Sequence, residues 1–150
     1  MSYHYTQCGL DNVYLKNGFK LHQTKYGEGL SIEDVEGLHR LIGTWLVDLP
    51  KPLSGAELRF LRVEMDLSQK HLAAILGAKE QTLRLWEKQR KKAVPGPADR
   101  LLRAIYIEFI GGNGPVRTMV ERLAELDQIE LATICAQETD SGWAPVAEAA

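Results

Sequence analysis

The stretch LSQKHLAAILGAKEQTLRLWEKQR at 67–90 narrows the folds open to this chain more than any other. It reads as two short helices broken by a tight turn. Ser68 stands where an N-cap belongs, its hydroxyl able to accept an unpaired first-turn amide, and Leu72, Ile75 and Leu76 follow at helical spacing. Gly77 ends that helix, because glycine enters the left-handed conformation without strain. A second helix is predicted from about Lys79 to Arg90. On a wheel of about 100° per residue, Leu83 and Trp86 share one face while Gln81, Arg84, Leu85 and Lys88 point the other way. The predicted helix has an apolar back and a hydrogen-bonding front.

This spacing resembles the helix-turn-helix of the Cro/cI-type (XRE) transcriptional regulators over residues 54–110. The resemblance is carried by Leu67-Ser68-Gln69, Leu72-Ala73, Leu76-Gly77, Leu83 and Trp86-Glu87. It implies a mainly α fold and a homodimeric, sequence-specific repressor, whose helix 79–90 enters the major groove of a palindromic operator in double-stranded DNA. It also implies a scaffold pair between Arg62 and Glu87, and a phosphate contact from Gln69 at the amino end of its helix. By side-chain chemistry, Gln81 can bind an adenine edge, Arg84 can span guanine O6 and N7, and Lys88 can reach a base or a phosphate. Leu85 offers a thymine methyl an apolar contact. Lys79 and Thr82 fall where the duplex backbone would pass. Two positions depart from the family pattern: Lys79 stands where a Ser or Thr cap is usual, and Gln89 replaces a Gly.

Charge follows the same stretch. Residues 1–53 hold five basic and six acidic side chains (−1), 54–78 three of each (0), 79–103 eight and three (+5), and 104–150 two and eight (−6), which together give the net −2. The basic block is centred on the proposed recognition helix, and Arg90 at its end with Lys91 and Lys92 after it are expected to hold phosphates. Such contacts are local, screened beyond about 10 Å at ordinary salt, so a net acidic chain can still bind a polyanion.

Before this region, residues 1–49 read as a strand-plus-helix module. Tyr3, Tyr5, Val13, Tyr14, Phe19, Leu21 and Tyr26 lie between glycine breaks and suggest two to four short strands, with Asn17-Gly18 as a hairpin turn. So short a segment cannot bury a core of its own and must pack on the rest of the chain. Val35, Leu38, Leu41, Ile42, Trp45 and Leu46 then predict a helix begun by Ser31 to Asp34, with Trp45 in the core. Pro50 and Pro52 mark the boundary with the next domain. There Ser54 and Glu57 form a capping box ahead of Leu58, Leu61 and Met65. His4, Cys8 and His22 have no Cys-x-x-Cys partner spacing, so no metal or other cofactor is expected, and Cys8 and Cys135 suggest no disulfide framework.

After the basic run, Val94-Pro95-Gly96-Pro97 interrupts the chain, and Leu101, Leu102, Ile105, Tyr106 and Phe109 mark a helix over 100–110. Gly111 to Gly114 reads as a flexible joint. Pro115, Val116, Met119, Val120, Leu123 and Leu126 predict a helical extension over 115–137, and 138–150 reads as a flexible tail. A strand-plus-helix module followed by such a DNA-reading domain also resembles the MqsA (YgiT-type) antitoxins, although their paired zinc cysteines are missing. That layout implies an alternative, an antitoxin whose first 49 residues grip a protein toxin and whose DNA binding is autoregulation. No nucleophile–base spacing and no glycine-rich phosphate loop precedes a helix, so an enzyme is not expected. Without a signal peptide or an apolar run of about 18 residues, the chain is expected to be cytoplasmic.

Overall fold

The computed structural model describes residues 2–112, 114–124 and 133–147, and among these the chain is mainly helical with small antiparallel strand pairs. At the amino end β1 (Tyr3–His4) pairs with β2 (Tyr14–Leu15), and β3 (Phe19–Thr24) with β4 (Gly27–Ile32). The helices are α1 (Val35–Asp48), α2 (Gly55–Glu64), α3 (Gln69–Leu76), α4 (Glu80–Lys88), α5 (Gly96–Gly111) and α6 (Pro115–Ala124). A last hairpin joins β5 (Cys135–Thr139) to β6 (Gly142–Val146). No described helix is long and apolar enough to cross a membrane.

The core unites the amino-terminal strands with the helices. Tyr5, Leu10, Val13 and Leu15 belong to the same buried cluster as Leu46, Leu58, Leu61, Leu72, Leu83, Leu102 and Ile105. Gly43 lets α1 lie against α5, since a Cβ there would overlap the ring of Tyr106. Asp99 and Arg103 then fix the connection between the two regions. Buried Asp99 accepts from Leu53 N and from Arg103 Nε, both at 2.6 Å, while Arg103 also donates to the carbonyls of Val47, Leu49 and Lys51.

Several expectations need correcting. Asn17-Gly18 is not the hairpin turn, because β2 and β3 lie in different sheets. The turn is Lys25-Tyr26, where Thr24 Oγ1 accepts from Tyr26 N at 3.2 Å and donates to Gly27 O at 2.6 Å, and Gly27 takes the positive φ of 119°. Ser31 belongs to β4, and Asp34 caps α1 by accepting from Gly37 N at 3.2 Å. Trp45 is 44% exposed, because Ile42, Gly43 and Leu46 face the core and leave Leu41 and Trp45 on the outer side. Helix α5 begins at Gly96, four residues early, with Pro97 in its first turn, where its missing N–H loses nothing. Gly111 is helical and Gly112 closes α5 with a φ of 79°, while Asn113 of the expected joint lies outside the described residues.

The carboxyl end departs most from expectation. Cys135 to Gln137 lie in β5 rather than in a helix, and residues 138–147 of the expected flexible tail form most of a hairpin. Its turn repeats the chemistry of the first: Thr139 Oγ1 accepts from Ser141 N at 3.2 Å and donates to Gly142 O at 2.8 Å. The rest of the expected extension and tail, 125–132 with Leu126 and 148–150, lies outside the described residues.

Tyr106 gives the core a pH signature. It is fully buried, with its hydroxyl donating to Glu64 Oε2 at 3.5 Å. Burial first, and the Glu64 charge second, push the phenol up from 10.0 to about 12. The folded chain keeps this proton after the unfolded chain has lost it. Stability that is intact below pH 10 should therefore fall as pH rises from 10.0 toward 12. In urea melts across that window, Tyr106→Phe should flatten the decline, and an unchanged slope would refute the assignment.

Candidate nucleic-acid interface

Local sequence chemistry sets the orientation of α3 and α4. Ser68 Oγ accepts from His71 N at 3.0 Å to start α3, and Gly77, at φ 71°, ends it. Lys79 is the N-cap of α4 and makes no side-chain cap bond. Leu72, Ala73 and Ile75 of α3 and Leu83 of α4 are buried, while Gln81, Arg84, Leu85 and Lys88 lie on the exposed side of α4. Thr82 is half-buried at the edge of that face, and Lys79 is exposed at its entrance. The front of α4 thus collects amide, guanidinium, ammonium and one apolar side chain, which together can read base edges.

Behind this face sits a polar network. Arg62 Nε and Nη2 donate to Glu87 Oε2 and Oε1 at 2.6 and 3.0 Å, and Arg62 Nη1 donates to Leu67 O at 2.9 Å. The two side chains are only 12% and 5% exposed, so each charge depends on the other. Gln69 Nε2 also donates to Glu87 Oε1, at 3.1 Å. In turn, Arg84 Nε donates to Gln69 Oε1 at 3.2 Å and its Nη2 to Glu80 Oε1 at 2.6 Å. The amide of Gln69 is therefore engaged between Glu87 and Arg84 rather than turned toward an outside anion.

The basic run after α4 has a fixed backbone. Gly55 N donates to Lys92 O and Ala56 N to Arg90 O, both at 3.1 Å, so the first amides of α2 hold the carbonyls of this segment. Lys88, Lys91 and Lys92 are exposed. Arg90 instead reaches back, with Nη2 donating to Gly9 O at 2.8 Å and lying 3.7 Å from Asp11 Oδ1. Contact with the loop after β1 had no signal in the sequence. Glu80, also missed, could have been found from its position four residues before Arg84.

His4, Cys8 and His22 are not brought together. His4 Nε2 donates to Asp11 O at 2.6 Å, His22 hydrogen-bonds Ser31 Oγ at 2.8 Å, and Cys8 Sγ donates to Tyr5 O at 3.6 Å. Among the described residues no cluster of His, Cys, Asp or Glu side chains can hold a metal ion. No family model, curated protein or solved structure matches this chain.

Proposed function

We propose that α3 and α4 form an XRE-type helix-turn-helix and that the protein is a sequence-specific, double-stranded-DNA-binding transcriptional repressor. The observation that carries this reading is the division of α4: Leu83 and Glu87 anchor its back, and Gln81, Arg84, Leu85 and Lys88 stand exposed on its front. Lys91 and Lys92 extend that front with positive charge beside the groove. One such module, burying roughly 600 to 1,000 Å², reads too few base pairs to be selective in a genome. The active form is therefore a homodimer on a palindrome, with half-sites about one helical turn apart.

The test is a gel shift on the DNA upstream of the protein's own gene, with unrelated duplex as competitor. A complex retained at moderate salt and lost in Gln81→Ala/Arg84→Ala is the expected result; binding no tighter than to the competitor would refute the reading. Lys91→Ala should weaken every sequence alike and reduce the salt slope by about one. Arg84→Ala should cost roughly 1 to 3 kcal/mol, at one base pair only.

A second reading makes the protein an antitoxin, and one observation favours it. Tyr14, Leu41 and Trp45, at 62%, 67% and 44% exposure, leave an apolar stripe on the outside of residues 1–49. A protein toxin seated there should lose its grip when Leu41→Asp is introduced, with the gel shift unchanged. Co-purification with the product of the adjacent gene, compared between wild type and that variant, decides it.

A further inference from the structure

Side-chain chemistry suits Arg84 to a guanine and by itself gives Glu80 no role, yet in the structure the two side chains are bonded. We propose that Glu80 is a positioning residue for base reading. Together with Gln69 it fixes the Arg84 guanidinium so that its remaining edge addresses a G·C pair in each half-site. The inference rests on α4 being the DNA-reading helix.

Three features carry it. First, the acceptors occupy only part of the guanidinium. Gln69 Oε1 takes the Nε hydrogen and Glu80 Oε1 takes one from Nη2, and among the described residues Nη1 has no hydrogen-bond partner. Both Nη1 hydrogens and one on Nη2 remain as donors, which suit the O6 and N7 acceptors of guanine.

Second, the clamp is itself anchored. Gln69 donates its amide nitrogen to Glu87, which is held by two bonds from the nearly buried Arg62, and this leaves the amide oxygen facing Arg84. Each link in the line from Arg62 to Glu80 is a donor meeting an acceptor. An exposed arginine otherwise gives up rotamer freedom when it is ordered on a ligand. Holding it beforehand reduces that loss on binding.

Third, the carboxylate changes what Arg84 is good for. A bare guanidinium in a groove can swing to the nearest phosphate and bind any sequence. Paired with Glu80 at 2.6 Å, it is close to neutral toward phosphates while keeping its directional donors. Glu80 therefore exchanges affinity for discrimination.

The experiment selects binding sites from a randomised duplex pool with the full-length chain, and measures competition by unrelated duplex at two salt concentrations. The wild type should recover a G·C pair that Arg84→Ala no longer selects. Glu80→Ala should melt like the wild type, lose about tenfold of the preference at that pair, bind unrelated duplex more tightly, and steepen the salt slope by about one. Glu80→Gln should keep most of the preference, because its amide oxygen can still accept from Nη2. A wild-type motif reproduced unchanged by Glu80→Ala, with unrelated binding also unchanged, would overturn the role of Glu80 alone. If the wild type recovers no motif, the DNA-reading assignment falls, and this inference with it.

Discussion

Glu87→Ala should lower stability by about 3 kcal/mol and at the same time disorder the front of α4. The loss comes from what remains. Arg62 keeps one bond, to Leu67 O, but its charge is left 12% exposed with no counterion, since Arg59, whose Nε lies 3.9 Å from Glu87 Oε1, has the same sign. Arg62→Ala should cost less, because the carboxylate left 5% exposed keeps the Gln69 amide and has Arg59 Nε 3.9 Å away. Replacing both, as Arg62→Met/Glu87→Leu, should recover most of the stability, because a well-packed apolar pair avoids the desolvation of two ions. It should not recover ordered binding, since Gln69 would lose the acceptor that orients it. Urea melts of the three variants, read beside gel shifts, separate the two consequences. Melts of Glu87→Ala that overlay the wild type would show that water reaches this pair and that it anchors nothing.

The second large effect is expected at Gly55. A Cβ there would overlap the carbonyl oxygen of Trp86 and lie 2.7 Å from Gln89 O, and both obstacles are backbone. Neither can step aside as the end of a flexible side chain would. Gly55→Ala must therefore push the start of α2 away from the end of α4, breaking the bonds from Gly55 N and Ala56 N to Lys92 O and Arg90 O. The cost should be about 3 kcal/mol, at the upper end for overpacking. Amide exchange should quicken at the start of α2, at Gly55 and Ala56, more than in α1. Uniform protection with an unchanged melting temperature would mean that the two helices separate freely.

How much of this was legible in the sequence depends on how local the cause is. The Ser54–Glu57 box, the Ser68 cap and the Gly77 stop were readable because each is settled within a few residues of chain. The polar front of α4 followed from its period alone. The exposure of Trp45 did not, since a helix wheel gives an apolar stripe but not how much of it the neighbours cover. Both hairpin turns escaped notice for a related reason. Each is built on a threonine hydroxyl that bonds across the turn to a positive-φ glycine, whereas the familiar hairpin signal is Asn-Gly. Contacts such as Arg90 with Gly9, or Asp99 with Leu53, join residues far apart in the chain, and no local pattern announces them.

The Arg103 connection changes how the two ends of the protein respond to stress. Two prolines in a linker suggest a stiff spacer between independent parts, which would melt separately. One guanidinium bonded to Val47, Leu49 and Lys51 carbonyls and to Asp99 ties the joint to α5. A calorimeter should therefore record a single cooperative transition. Heat, a denaturant or a ligand acting on residues 1–49 would then be felt at α4 as a change in the free energy of the whole fold, with no swing of one part against the other.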